Sequence, residues 1–190
     1  KKQEGTYLEN EFSYNLTLNK LNQNYQPTEG FKTVFSQTIP IYTDDYSLSN
    51  FFEISKFSAI GENAIFSTSF FAKSVNSLNG NDVRITKRLF IPQSKLRGFD
   101  TSKVGPKDGG DWVGGNYTTT LGFEAQLPNL LPDSTRTDIS LFLDTGNVWH
   151  VDYSDTLNDS NTLRSSFGIS ANVFTTVGPL TFTIAQDITK

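Results

Sequence analysis

A two-residue alternation of side chains is the feature that most constrains how this chain folds. It is clearest in residues 117–127, where Tyr, Thr, Leu, Phe and Ala occupy the odd positions and Thr, Gly, Glu and Gln the even ones. Successive side chains of a β-strand point to opposite faces of a sheet, so this segment predicts a strand with one apolar and one polar face. Together with it, seven further segments predict about eight strands, at residues 11–20, 31–39, 46–57, 64–75, 139–144, 167–173 and 181–188.

The connections between these strands are predicted to alternate in length. Short turns are expected near Pro27, Gly61, Pro128 and Gly178, because Pro fixes one backbone dihedral and Gly accepts a positive φ. Longer loops are expected at three other places, near Thr43, around Arg97 and near Asp155. Short turns at one end of a sheet and long loops at the other are typical of outer-membrane barrels.

The composition supports a barrel that faces lipid. Hydrophobic residues make up only 36% of the 190 residues, yet aromatic residues reach 13% and include 16 Phe. The sequence has no run of about 18 apolar residues, which excludes a membrane-spanning helix, whereas a barrel strand needs only about 9–11 residues. We therefore predict an all-β fold, a partial antiparallel up-and-down transmembrane β-barrel of about eight consecutive strands. A soluble up-and-down barrel also shows such alternation, though less often with so many Phe.

Residues 76–113 are too long for a hairpin loop inside a compact domain, which indicates an insertion that is functional or disordered. Arg97 lies in its middle and is followed by Gly98 and Phe99. Alternation places Glu124 and Asp144 on the polar faces of adjacent strands. Two interpretations stay open from spacing alone: a loop folded into the lumen and held to the wall by Arg97 with the two acids, or a solvated Arg97 above a wet channel.

No catalytic, metal or cofactor site is expected. His150, the sole histidine, follows Trp149 at a strand end and is expected at the membrane interface rather than in a zinc site or a catalytic triad. Asp152, Asp155 and Asp159 do not have the spacing of a calcium loop and are expected to be solvated. The sequence contains no Cys, and its net charge of −4 argues against nucleic acid as a partner.

Several motifs resemble one family of membrane proteins. Arg97-Gly98-Phe99, the segment 113–116 with Gly114 and Gly115, and Asp144-Thr145-Gly146 occur in an order that resembles the C-terminal barrel of the BamA-like, POTRA-bearing outer-membrane proteins. The similarity extends over nearly the whole chain. The resemblance implies that residues 1–190 form a barrel domain of the bacterial surface antigen type, that the loop lies in the lumen, and that acidic wall residues hold its arginine. Gly114, Gly115 and Gly146 would then belong to strand motifs.

The resemblance also implies a function. Such proteins fold and insert β-barrel proteins into the outer membrane of Gram-negative bacteria, and their expected partners are membrane lipid, unfolded β-barrel clients and, through POTRA domains, accessory lipoproteins. No enzymatic activity is expected. The alternatives are a two-partner-secretion transporter of the same superfamily and a soluble all-β binding domain. The chain begins without a signal segment and ends in a strand-like run, so we expect a fragment without POTRA repeats or the last strand.

Overall fold

The computed structural model describes residues 5–128, 130–154, 157 and 162–189. Eight long strands form the main sheet: β1 (Glu11–Asn19), β2 (Gly30–Pro40), β3 (Ser47–Ile60), β4 (Ala64–Ser77), β7 (Tyr117–Leu127), β8 (Thr137–Trp149), β9 (Arg164–Thr175) and β10 (Gly178–Asp187). Two short strands, β5 (Lys107–Asp108) and β6 (Asp111–Trp112), pair within the loop between β4 and β7, and a 3₁₀ helix (Asp133–Thr135) precedes β8. Within the described residues, no helix is long and apolar enough to cross a membrane.

The eight long strands are neighbours in the order of the chain, β1-β2-β3-β4-β7-β8-β9-β10, and every pair is antiparallel. In this ordering β1 and β10 are the two edges and do not pair with each other, so the sheet is open. The prediction of an antiparallel up-and-down sheet of eight consecutive strands is confirmed.

The two faces of the sheet are inverted relative to those of a soluble protein. In the central strands the face that carries Ser and Thr is the buried one: Ser140 and Ser166 are 0% exposed and Thr118 is 1% exposed. The opposite face carries exposed apolar side chains, and Ile184 is 81% exposed. We call the first the inner face and the second the outer face.

Residues 78–116 cover the inner face. This loop is displaced from the predicted range of 76–113, because β4 continues to Ser77 and the next long strand begins only at Tyr117. Ile91, Leu96 and Val104 of the loop form a buried cluster with Val148 of β8, because loop and wall together exclude water where neither could alone.

The loop contacts strands that are far apart in the sheet. Lys95 pairs with Glu53 on β3, and the α-carbon of Gly98 lies close to Ala185 on β10. One loop can reach both only because the sheet curls around it. At the short-turn end, Gln26 donates a hydrogen bond of 3.1 Å to Asp138 at the start of β8.

The predicted alternation of short and long connections is wrong at one place. The connection between β1 and β2 spans residues 20–29, whereas the loop between β2 and β3, predicted to be longer, spans only 41–46. The first connection is long because it carries its own hydrogen-bonded structure, in which Asn22 accepts from the backbone amides of Thr28 and Glu29. It also extends to Phe174, whose ring centre lies 6.2 Å from that of Tyr25.

Candidate functional site

Arg97 is bound to Asp144 by three hydrogen bonds. The guanidinium donates from Nε to Oδ2 at 2.7 Å and from Nη2 to Oδ1 at 2.9 Å, and the backbone amide of Arg97 donates to Oδ2 at 3.1 Å. The two side-chain bonds use the planar fork of the guanidinium to hold both carboxylate oxygens, an arrangement that lysine cannot make. The loop is therefore fixed to β8 through both its side chain and its main chain.

Glu124 on β7 is the second acidic partner. Nη1 of Arg97 donates to its Oε2 at 2.8 Å. The Asp144 side chain is only 3% exposed, whereas those of Glu124 and Arg97 are 21% and 20% exposed. We call Arg97, Asp144 and Glu124 with their immediate contacts the wall anchor.

The opposite charges in the wall anchor stabilise each other's ionised forms. Burial lowers the pKa of Arg97, but hydrogen bonds and the charges of Asp144 and Glu124 outweigh that effect, so its pKa lies above the ordinary value. The guanidinium therefore stays protonated throughout the physiological pH range. A buried carboxylate needs such a partner, because removal of one member of a buried ion pair costs about 3–5 kcal/mol.

Two wall residues that the sequence did not single out complete the wall anchor. The guanidinium carbon of Arg97 lies 3.6 Å from the centre of the Phe142 ring, a distance at which a cation is attracted to the ring face. Ser166 on β9 donates its hydroxyl to the carbonyl of Arg97. Phe142 was detectable, since it is an aromatic residue on the otherwise polar face of its strand, but the position of Ser166 had no such signal.

Strand register places these groups together. Glu124 on β7 is opposite Phe142 on β8, and Gly122 is opposite Asp144. A side chain at Gly122 would place its Cβ 3.2 Å from Oδ1 of Asp144, and one at Gly168 would place it 2.6 Å from the ring of Phe142. The two glycines thus leave the space in which the carboxylate and the ring stand.

The two residues after Arg97 turn the loop at the wall. Gly98 has a φ of +91°, and an added Cβ would lie 3.0 Å from the Cβ of Ala185. Glycine fits both the backbone conformation and the close approach to β10. Phe99 packs against the buried cluster that Ile91, Leu96 and Val104 of the loop form with Val148 of the wall.

The three predicted strand glycines occupy two kinds of position. Gly114 and Gly115 precede β7 rather than beginning it, and the backbone groups of Gly115 bond to Leu89 of the loop. Gly146 lies within β8, where an added Cβ would lie 2.7 Å from the carbonyl oxygen of Thr119. All three allow a close approach of backbones, two of them outside the strands.

The other polar residues considered from the sequence have structural contacts. His150 follows β8, its ring centre lies 5.5 Å from that of Tyr117, and its Nε2 is 3.3 Å from Oδ1 of Asp152. Asp152 is exposed, as predicted, and its carboxylate also accepts hydrogen bonds from the amide of Val83 and the side chain of Asn116. Asp155 and Asp159 lie outside the described residues. Among the residues that are described, no group of three or more His, Asp or Glu side chains could hold a metal ion.

Comparisons with known proteins agree with the fold. The model of the Omp85 superfamily domain matches residues 1–190. The outer membrane protein assembly factor BamA of Neorickettsia risticii (strain Illinois) is 31% identical over 169 residues, which is 86% of this chain and 23% of that protein. The crystal structure of BamA from Haemophilus ducreyi lacking POTRA domains 1–3 has a TM-score of 0.83 at 23% identity, over 95% of this chain and 39% of that one. The chain thus spans less than half the length of these relatives.

Proposed function

Because this chain belongs to the Omp85 superfamily, we propose that it is the C-terminal part of the barrel of an assembly factor that folds β-barrel proteins and inserts them into the outer membrane. The observation that carries the proposal is the 31% identity to an outer-membrane assembly factor, which extends over 86% of the chain. In this proposal residues 1–190 form one part of a larger barrel, and the last strand and the POTRA domains lie outside it.

The chain is an integral outer-membrane protein, and its inverted faces are suited to that location. A lipid-facing surface must be apolar, and the lumen of a barrel is polar. A soluble all-β domain would bury its apolar face instead, so the exposure of side chains such as Phe182 and Ile184 disfavours that alternative.

The register adds a second argument for a membrane-spanning sheet. Leu18 is the last outward apolar residue of β1 and lies at the short-turn end of that strand. The row of paired residues that starts at Leu18 arrives at Ser165, at the loop-side end of β9, and the outward apolar residues of β9 begin only two positions later, at Phe167. That row is Leu18, Thr33, Ile54, Phe70, Leu121, Thr145 and Ser165. The apolar band thus crosses the strands obliquely. A band parallel to the membrane must do so when the strands are tilted by about 35–45°.

The proposed action is non-covalent. A barrel with a weak seam offers the unpaired backbone groups of an edge strand as a template on which an incoming strand forms hydrogen bonds. The wall anchor supports this action indirectly, since it keeps the loop in place while the seam opens. Unfolded β-barrel proteins are the proposed clients, and accessory lipoproteins are proposed to bind through POTRA domains.

Depletion of the complete protein from its host tests the function. We expect a general fall in folded outer-membrane barrel proteins, measured by quantitative mass spectrometry of outer membranes and by the altered gel mobility of unfolded barrels. Re-expression of the unmodified protein should restore them.

The same measurement separates the proposal from a two-partner-secretion transporter. A transporter would leave unrelated barrel proteins at their normal level and would abolish the secretion of one partner protein. That outcome would overturn the assembly proposal and leave the membrane-spanning fold intact.

A further inference from the structure

The outer face contains a groove that crosses five strands, from β2 to β8, near the loop-side end of the apolar band. Its floor is formed by the small residues Ala72, Ser74 and Thr119, which lie on the neighbouring strands β4 and β7. Its walls are the larger side chains of Phe52, Phe70, Tyr117 and Trp149, and the volume of this open groove is about 370 Å³.

Register explains why a depression forms here. Ala72 is opposite Phe52 on one side and Thr119 on the other, so two small residues lie next to each other beside an aromatic ring. Tyr117 and Trp149 are likewise opposite each other, and their ring centres are 5.8 Å apart. The pair closes the loop-side end of the groove.

The polar groups in the groove already have partners. Asn50 accepts a hydrogen bond from Gln37 at 2.6 Å and donates one to Ser74 at 3.1 Å. The hydroxyl of Tyr117 donates to Asn76 at 2.6 Å. No charged side chain of the groove's rim points outward, since Lys73 of its lining lies on the inner face next to the rings of Phe51 and Phe71. The groove therefore offers contact to methylene groups and little to a polar ligand.

The position of the groove selects its occupant. It is continuous with the lipid-facing band, and it begins beside Trp149 and Tyr117, aromatic residues of the kind that mark the boundary between hydrocarbon and headgroups. From that end the groove runs along β4 and β7 past the pair Ala72 and Thr119 towards the pair Phe70 and Leu121, away from the loop side. We propose that the groove binds one acyl chain of a lipid in the leaflet on the loop side. This inference depends on the membrane location and is independent of the assembly activity.

The physical basis of the preference is packing. A hydrocarbon chain on a flat protein surface has protein on one side, whereas a chain in the groove has protein on three, and dispersion contacts add up with the number of neighbouring atoms. Because the surrounding lipid is itself apolar, the preference for the groove comes from shape rather than from the hydrophobic effect.

Photochemical labelling in a bilayer tests the proposal. The complete protein is placed in vesicles that contain a small fraction of phosphatidylcholine with a diazirine in the middle of one acyl chain, and labelled peptides are mapped by mass spectrometry. We expect labelling at the groove positions of β4 and β7 to exceed that at other outward positions by about fivefold, as closer packing around the chain predicts. An excess of unlabelled lipid should reduce that labelling first.

Two substitutions provide the matched comparison. Ala72→Leu fills the floor, and we expect it to lower labelling of the groove to the level of the other outward positions. Ala125→Leu makes the same change on the outer face of β7 outside the groove, and we expect no effect on groove labelling.

Three results would overturn the proposal. One is even labelling of all outward positions, and another is groove labelling that Ala72→Leu leaves unchanged. The third is the absence of labelling in the groove alone, which would mean that another protein surface rather than lipid covers it. Each can be read while barrel assembly is normal, so failure here is distinct from failure of the proposed function.

Discussion

Besides the single pair of Lys95 with Glu53 on β3, two clusters of ionic contacts hold the long loop, and the two clusters differ in burial. The wall anchor joins Arg97 to Asp144 and Glu124 on the inner wall. A second set, which we call the mouth anchor, joins Arg84 and Lys87 to the segment at the start of β1. Arg84 bonds to Glu9 at 2.9 Å, and its guanidinium lies 3.5 Å from the centre of the Tyr7 ring. Lys87 bonds to Glu11 at 2.5 Å.

The two anchors differ most in how exposed their carboxylates are. The side chain of Asp144 is 3% exposed, whereas that of Glu9 is 42% exposed. An exposed ion pair contributes about 0.2–1 kcal/mol, while breaking a buried one costs several times more. The mouth anchor has two cations where the wall anchor has one, yet we expect it to hold the loop more weakly, because Glu9 is far more exposed than Asp144.

The largest effect is expected from Arg97→Ala in the complete protein. The substitution leaves Asp144 buried without a cation and removes the two guanidinium hydrogen bonds to its carboxylate. The free energy of unfolding should therefore fall by about 3–5 kcal/mol. Urea unfolding in lipid vesicles measures the loss. Arg97→Lys should recover only part of it, because an ammonium group cannot bind both oxygens of Asp144 in the fork geometry. An unchanged midpoint in Arg97→Ala would contradict the wall anchor.

Asp144→Asn is expected to rank second. The amide keeps the size of the side chain and can still accept from Arg97, but it removes the charge and turns one acceptor into a donor that faces the guanidinium. We expect a loss of about 2–3 kcal/mol, since a hydrogen bond to a charged group contributes about that amount.

Glu124→Gln, at the more exposed acid with one bond to Arg97, should cost less in the same urea assay. Equal losses in the two variants would show that burial does not rank these carboxylates.

The mouth anchor should respond more weakly. Arg84→Ala combined with Lys87→Ala removes its three ionic contacts, and we expect a loss of about 1–2 kcal/mol from pairs whose carboxylates are partly exposed and from one cation–π contact. The loss should shrink as salt is raised from about 0.05 to 0.5 M, because solvent-exposed charges are screened. The effect of Arg97→Ala should change little over that range. A mouth anchor as costly to break as the wall anchor, and equally insensitive to salt, would refute the distinction.

Lys103→Ala should have the smallest effect and serves as the control for removing a loop cation. Lys103 pairs with Asp100 three residues earlier, and their side chains are 63% and 62% exposed. We expect no measurable change in the urea midpoint, as is usual for surface pairs. A loss comparable with that of Arg97→Ala would mean that any positive charge in the loop matters, irrespective of its burial.

Parts of the site were accessible from the sequence because they depend on local rules. Alternation alone placed Glu124 and Asp144 on the polar faces of adjacent strands, and the structure has both facing the loop. The mouth anchor was not accessible in this way. Arg84 and Glu9 are separated by 75 residues, and no periodicity relates them. The length of the connection between β1 and β2 was also missed, because hydrogen bonds of Asn22 create structure where Pro27 and Gly30 suggested a simple turn.

The sequence by itself determined the strands and their two faces. A β-strand has a period of two whatever its neighbours are, so the pattern of Phe and Leu against Ser, Thr and Asn is sufficient to define the apolar and the polar side. It also determined that β4 and β7 are separated by a loop too long for a hairpin turn.

Only the tertiary structure decided which groups meet. The oblique course of the apolar band and the curl that lets one loop contact both β3 and β10 arise from strand register. The physical reason is that register and curvature are set by many distant contacts at once, whereas alternation is a property of a single strand. From spacing alone Arg97 could equally be a solvated loop cation, and it becomes an anchor only when β7, β8 and β9 bring Glu124, Asp144 and Ser166 around it.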